Sequence, residues 1–252
     1  MRVRMGILGV VLAMFAAGPA FAGTVTFNFG GPDTALGTSQ GYTSGGATIT
    51  AYGFECSAAT PSSTDTLSNC AATDLFAKSD GPNETGLGLA GQGSGENEIG
   101  WDGPNADFVL GLDVSALFKL GATSMTLNFG SVQPGEAFAV LGYGSNPFLS
   151  GNSFALTNTE AWVGNDGSTN SQVFSSTFAL NAGDEFLVIV SPCGASTNIG
   201  PDGGCGGNVL LGSLDTNLPT PEPGTLALFA TGLLALGFGM RKIGRASCRE
   251  RV

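Results

Sequence analysis

Acidic and amide side chains cluster between residues 96 and 107, in a composition suited to bind a metal ion. The cluster comprises Glu96, Glu98, Asp102, Asn105 and Asp107. Calcium takes six to eight oxygen ligands, which loop carboxylates and amides can supply. These five residues are therefore candidate ligands of a calcium ion, and the sequence indicates no other cofactor.

A second interpretation of the same cluster is turn formation. The tetrapeptide Asp-Gly-Pro-Asn occurs twice, at residues 80–83 and 102–105. Asp and Asn hydrogen-bond within turns, Pro fixes φ and Gly relieves strain, so each copy is typical of a tight turn. The spacing also differs from the EF-hand pattern. The sequence leaves both interpretations open.

Enzymatic chemistry has little support in the sequence. The chain contains no histidine, which excludes His-dependent triads and imidazole acid–base pairs. Glu96 and Glu98 could act as a glycosidase pair, but only two tryptophans are present to form sugar subsites. We therefore expect a protein that is not an enzyme.

The cysteines favour disulfide bonds. Cys56, Cys70, Cys193 and Cys205 form an even set, which is typical of proteins in an oxidising compartment. Short intervening segments favour the pairs Cys56–Cys70 and Cys193–Cys205 among the three pairings that four cysteines allow. No CxxC spacing or histidine points to zinc.

Charge restricts the partners of the central segment. Eighteen acidic and two basic side chains lie between Gly23 and Leu218, a net charge of −16. Such a surface repels phosphate backbones, so nucleic acid is excluded as a partner.

The central segment, residues 23–218, has the pattern of an all-β domain. Apolar and polar residues alternate with a period of two, for example in Phe108-Leu110-Leu112 and Met125-Leu127-Phe129, and Gly, Asn, Asp and Pro punctuate these runs. Only Val114 to Leu120 suggests a helical turn. We expect nine to eleven strands in an antiparallel β-sandwich of the jelly-roll kind.

The N-terminal segment, residues 1–22, has the three parts of an export signal. Two arginines precede an apolar run from Met5 to Ala17, and Ala20-Phe21-Ala22 ends the segment. Small residues at Ala20 and Ala22 fit a signal peptidase, so cleavage is expected after Ala22. The Sec machinery is then the expected export partner.

The C-terminal segment, residues 219–242, combines a proline-rich stretch with a short hydrophobic helix. Pro221-Glu222-Pro223-Gly224 precedes an uncharged run over residues 225–240, which Arg241 and Lys242 follow. A helix of that length spans roughly 24 Å, and the hydrocarbon core of a bilayer is roughly 30 Å thick. The basic end favours a cytoplasmic C-terminus, which leaves the acidic domain outside.

The three parts in this order closely resemble the PEP-CTERM sorting signal of Gram-negative bacteria. The resemblance implies that an exosortase recognises Pro221, Glu222, Pro223 and Gly224 and removes the tail. It also implies transient anchoring in the inner membrane and then display at the cell surface or in an extracellular matrix. The last ten residues, 243–252, look instead like a translated sequencing adapter and receive no functional role.

Two functions remain as hypotheses at this point. The first is a non-enzymatic structural protein of an exopolysaccharide or biofilm matrix, with extracellular polysaccharide as its partner. The alternative is a calcium-dependent, lectin-like carbohydrate-binding module built on the acidic cluster.

Overall fold

The computed structural model describes residues 22–57, 66–92, 95–101, 106–133, 136–149, 153–155, 159–164, 173–181, 183–190 and 207–219, and the isolated Gly232. By their contacts, residues Thr24–Leu218 form one compact unit. A second unit comprises Met1–Gly23 and Pro219–Val252, of which only Ala22, Gly23, Pro219 and Gly232 belong to the described residues.

Sixteen strands and one short helix make up the described part of the chain. They are β1 (Ala22–Asn28), β2 (Thr34–Gly37), β3 (Ser39–Ser44), β4 (Ala47–Ser57), β5 (Thr66–Ala72), β6 (Leu75–Ser79), β7 (Thr85–Leu89), β8 (Gly100–Trp101), β9 (Asp107–Asp113), α1 (Ser115–Lys119), β10 (Ser124–Gly130), β11 (Ala137–Tyr143), β12 (Phe154–Ala155), β13 (Thr159–Gly164), β14 (Phe174–Ala179), β15 (Phe186–Val190) and β16 (Leu210–Pro219). The predicted all-β class and the helical turn near residue 115 are confirmed, whereas the expected number of strands was too low.

The strands form two antiparallel sheets in a sandwich-like arrangement. The seven-stranded sheet has the order β14–β10–β16–β7–β6–β2, with β1 also paired to β16. The nine-stranded sheet has the order β12–β5–β4–β9–β15–β11–β13, with β3 beside β4 and β8 beside β9. The first and last strands of the sandwich are therefore neighbours.

The main core contains side chains from both sheets. In β10, the predicted apolar residues Met125, Leu127 and Phe129 are buried, while the intervening Ser, Thr and Asn residues are partly exposed. From the other sheet, Leu110 and Leu112 of β9 belong to the same cluster. The period of two thus places one face of each strand in the core, as burial of apolar area requires.

The nine-stranded sheet is also covered on its other face. Val109, Leu141 and Val188 belong to a second buried cluster, to which Phe148 is packed. Because the strands β9, β11 and β15 are buried on both faces, their sequences are nearly continuous in apolar residues, as two-sided burial requires.

The predicted Cys56–Cys70 disulfide joins the neighbouring strands β4 and β5 and is confirmed. Both cysteines belong to the second buried cluster. Cys193 and Cys205 lie outside the described residues, so their pairing stays a prediction.

Candidate functional site

The first Asp-Gly-Pro-Asn copy forms the tight connection between β6 and β7. The Asp80 amide donates to the Glu84 carbonyl at 3.0 Å, and the Thr85 hydroxyl donates to the Gly81 carbonyl at 2.7 Å. Gly81 has a φ of 151°, a conformation in which glycine is favoured. These residues close a hairpin, in agreement with the turn interpretation. The second copy, residues 102–105, lies outside the described residues.

Glu98 forms a buried ion pair with Lys78 of β6. The Lys78 Nζ lies 2.7 Å from Glu98 Oε1, and the two side chains are 10% and 2% exposed. The Ser131 hydroxyl donates to the same carboxylate oxygen at 3.1 Å. Glu98 is therefore held inside the protein by a cation and a hydroxyl.

Burial and pairing act against each other in this ion pair. Burial raises the pKa of Glu98 to about 7, and the hydrogen bond and positive charge of Lys78 oppose that rise. Burial lowers the pKa of Lys78, but the hydrogen bond and charge of Glu98, together with the charges of Glu84 and Asp80, outweigh it and the net shift is upward. This balance is typical of a structural ion pair in a poorly solvated position.

An acidic cleft of about 440 Å³ adjoins Lys78. Its charged lining residues are Asp33, Lys78, Asp80, Glu84 and Glu96. Within the described part of the chain, no group of three or more acidic, cysteine or histidine side chains is arranged to hold a metal ion. With Asp102 and Asn105 outside that part, the calcium site stays a prediction.

Asp107 occupies a different environment from Glu98. It is the first residue of β9 in the nine-stranded sheet, where it is paired with Cys56 and Trp101. Its side chain is wholly buried, and among the described residues neither carboxylate oxygen has a hydrogen-bond partner. Burial raises the pKa of Asp107 to about 8, so its carboxyl group is mainly protonated at neutral pH.

A polar surface covers the outer side of four adjacent strands in the seven-stranded sheet. We call this surface the polar face. Its residues are Thr24, Thr26 and Asn28 of β1, Ser213, Asp215 and Asn217 of β16, Ser124, Thr126 and Asn128 of β10, and Ser175, Thr177 and Ala179 of β14. All twelve are exposed or partly exposed.

Hydrogen bonds connect the side chains of the polar face across all four strands. Ser175 donates to Asn128 Oδ1 at 2.6 Å, and Asn128 donates to Asp215 Oδ2 at 2.8 Å. Thr26 donates to the other oxygen of Asp215 at 2.5 Å. The resulting chain runs from β14 through β10 and β16 to β1, and it fixes the rotamers of its members.

Paired hydroxyls and amides extend this network on either side. Thr126 and Thr177 face each other in the β10–β14 register, with their hydroxyl oxygens 2.7 Å apart. The Thr24 hydroxyl donates to Asn217 Oδ1 at 3.1 Å. This surface cannot be recognised from the sequence, because the sequence does not show that β1, β16, β10 and β14 are adjacent. The one feature of the sequence that could have indicated the polar face is the lack of Lys, Arg and Glu at the outward positions of these strands.

The remaining predicted site residues lie at or beyond the ends of the described sandwich. Ala22 is the first residue of β1, whereas Ala20 and the Pro221–Gly224 motif fall outside the described residues. Of the predicted helix over residues 225–240, only Gly232 is described, in a helical conformation. No helix in the described part of the chain is long and apolar enough to cross a membrane.

Two solved structures similar to the chain are adhesin domains of Lys-gingipain from Porphyromonas gingivalis W83. The K1 domain is 13% identical, and the match covers 75% of this chain and 96% of that domain with a TM-score of 0.29. The K3 domain is 16% identical, with coverages of 59% and 74% and a TM-score of 0.27. A search of curated proteins finds no match.

The C-terminal segment of the chain matches a known family model. The family model of the PEP-CTERM protein-sorting motif matches residues 219–242, the same range that the sequence pattern indicates. This match begins at the last residue of β16. The chain therefore carries a PEP-CTERM protein-sorting motif, which indicates an exported protein that an exosortase sorts.

Proposed function

We propose that the chain is a non-enzymatic structural protein of the cell surface or extracellular polysaccharide matrix. The main support for this proposal is that the sorting motif starts at Pro219, where the last strand of the sandwich ends. The chain thus joins an exported β domain directly to an exosortase signal. The Sec machinery would export it and signal peptidase would cleave after Ala22.

The surface chemistry of the sandwich supports this role. The polar face offers hydroxyl and amide groups that are held in place by their own hydrogen bonds. An acidic, disulfide-bonded domain with such a surface suits a hydrated extracellular environment. In this proposal, sorting delivers the domain to the outside, where it contributes to the matrix by contact with polysaccharide.

Deletion of Pro221, Glu222 and Pro223 in the producing bacterium tests the sorting step. We expect the deleted protein to accumulate in the inner membrane, with release to the surface and medium reduced at least tenfold. Immunoblots of the membrane, surface and medium fractions measure this. The substitution Asp74→Asn, at an exposed position outside the matched motif, serves as the control and should be released like the wild type. Unchanged release of the Pro221–Pro223 deletion would contradict the proposal.

A further inference from the structure

The amino-acid composition of the polar face limits which kinds of molecule could bind to it. Eleven of its twelve side chains are Ser, Thr, Asn or Asp, and it carries no Lys, Arg or Glu. Ala179 is its one apolar side chain. A surface without large apolar groups cannot provide the buried anchor residues that dominate protein–protein contacts. Hydroxyls and amides, however, both donate and accept hydrogen bonds.

Charge further restricts the partner. Asp215 is the one carboxylate on the polar face, and its two oxygens already accept hydrogen bonds from Thr26 and Asn128. No cation on the face could attract an acidic polymer, and the net charge of the chain, −11, repels one. A neutral, hydroxyl-rich polymer is complementary to these features.

Two depressions lie along the seam between β10 and β16. One, of about 140 Å³, is lined by residues that include Ser124, Thr126, Asp215 and Asn217. The other, of about 220 Å³, is lined by residues that include Asn128 and Ser213, and also by the exposed Val173, which lies next to the polar face just before β14. Because each depression takes residues from the same pair of strands, the two follow one direction along the sheet.

Two glycines line the second depression. Gly212 lies where the β10–β16 register shifts between Asn128 and Phe129, and both Gly130 and Gly212 contribute to the lining. A β carbon on Gly130 would lie 2.7 Å from the Asn83 carbonyl oxygen, so only glycine allows this close approach. Bulges of this kind redirect side chains next to functional surfaces.

We propose that the polar face binds a neutral polysaccharide, which lies along the β10–β16 seam and hydrogen-bonds to the ordered hydroxyls and amides. This inference rests on the proposed function and assigns the matrix contact to a defined surface. Because the hydrogen-bond chain already fixes the side chains, binding costs little further rotamer entropy. Because the polar face has no aromatic rings, each copy of the protein is expected to bind the polysaccharide weakly. One polymer chain that contacts many copies of the protein is held more tightly overall.

Affinity gel electrophoresis of the full chain in detergent micelles tests the proposal. The gels contain hydroxyethyl cellulose or galactomannan as neutral polymers, or alginate as an acidic one. We expect at least one neutral polymer to retard the wild-type chain and alginate to leave its mobility unchanged. The double substitution Thr126→Val/Thr177→Val removes a hydroxyl pair at 2.7 Å and keeps the β-branched shape. It should weaken the retardation at least fivefold.

The hairpin of β3 and β4 provides a matched control. Thr43 and Thr48 are an exposed, cross-strand hydroxyl pair at 2.8 Å in the other sheet. The double substitution Thr43→Val/Thr48→Val should bind like the wild type. Circular dichroism and thermal unfolding confirm that both variants are folded.

Three outcomes would overturn the proposal: no retardation by either neutral polymer, equal retardation by alginate, or equal loss in the two double variants. The sorting experiment separates this result from the proposed function. If deletion of Pro221–Pro223 blocks release but the wild type binds no neutral polymer, the sorted surface protein stands and the polar face is not its contact. If release is unaffected, the sorting role itself fails.

Discussion

At the scale of single residues, the buried acids are the most informative feature of the molecule. Asp107 is wholly buried and has no hydrogen-bond partner among the described residues, whereas Glu98 is neutralised by Lys78 at 2.7 Å. Burial of an ionised group is costly without a partner. Asp107 therefore keeps its proton, with its pKa raised by burial to about 8.

The raised pKa of Asp107 predicts that stability depends on pH. An unfolded carboxyl group ionises near its ordinary pKa of 3.8, but the folded one ionises near 8. Between these values the folded state binds more protons, so Asp107 makes the free energy of unfolding fall as the pH rises from about 4 to 8. The substitution Asp107→Asn should remove this dependence.

Urea unfolding of the full chain at pH 4, 6 and 8 measures the effect. Relative to the wild type, Asp107→Asn is expected to gain about 1–3 kcal/mol between pH 4 and pH 8, because the buried amide is neutral without having to bind a proton. The exposed Asp74 gives the control Asp74→Asn, which removes a surface carboxyl group instead of a buried one. A difference between Asp107→Asn and the wild type that stays the same from pH 4 to pH 8 would contradict the prediction.

The Lys78–Glu98 ion pair predicts a strongly non-additive pair of substitutions. Lys78→Met leaves the buried Glu98 carboxylate without its cation, and the cost should be about 3–5 kcal/mol of unfolding free energy. Adding Glu98→Leu should restore most of that loss, because an apolar pair needs no compensation. Chemical denaturation measures all four proteins of the cycle.

Lys119 provides the comparison for this cycle. It is exposed at the end of α1, and it is the other lysine between Gly23 and Leu218. Lys119→Met should change the unfolding free energy by less than about 0.5 kcal/mol. Two results would show that Lys78 does not stabilise the buried Glu98 carboxylate. Lys78→Met could lower the unfolding free energy no more than Lys119→Met does, or the double variant could be less stable than Lys78→Met alone.

The acidic residues could be recognised from the sequence, but the surroundings of each carboxyl group in the fold could not. Glu98 and Asp107 are nine positions apart, yet Glu98 contacts Lys78 of the seven-stranded sheet, and Asp107 begins a strand of the nine-stranded sheet. The calcium site that their proximity along the chain suggests stays a prediction, because Asp102 and Asn105 lie outside the described residues. Which of two sheets a segment joins depends on long-range pairing, which local composition does not encode.

At the scale of elements, Phe148, in the connection between β11 and β12, packs on the outer face of the nine-stranded sheet. Phe148 stacks on Phe54, with ring centroids 5.6 Å apart. It also approaches Phe186 edge to face, at 5.9 Å. Gly111 of β9 lies beneath this ring, and a β carbon there would be 2.5 Å from the Phe148 ring.

The substitution Gly111→Ala is therefore predicted to displace Phe148 and to destabilise the fold. The added methyl group overpacks a close contact, and the expected cost is about 1–3 kcal/mol of unfolding free energy. The control is Gly41→Ala in β3, where the nearest atom, Thr48 Cγ2, lies at an ordinary 3.8 Å. Thermal unfolding compares the two variants, and equal melting temperatures would refute the tight contact.

Strands with an apolar face could be predicted, whereas polar strands could not. Met125, Leu127 and Phe129 mark β10 in the sequence because alternate positions are buried. By contrast, β3 has the sequence SQGYTS and is largely exposed. It is a strand because all six residues pair with β4. Pairing with a neighbour stabilises such strands, and the local periodicity therefore underestimates their number.

At the scale of the whole molecule, the sorting motif could be predicted from the sequence and the sheet order could not. The match over residues 219–242 depends on a local pattern of residues in a fixed order. The pairing of β1 with β16 joins segments near opposite ends of the chain. The polar face follows from that pairing, because its side chains come from four strands that are far apart in sequence.

The neighbouring first and last strands also set how the sandwich responds to a mechanical load. The contacts Thr24–Asn217, Thr26–Asp215 and Phe29–Gly212 show that β1 and β16 run in opposite directions. A force that pulls Thr24 away from Leu218 acts across the ladder and breaks its hydrogen bonds one after another, as a zipper opens. In a chain held at both ends, tension would peel these two strands apart well before it sheared the rest of the core.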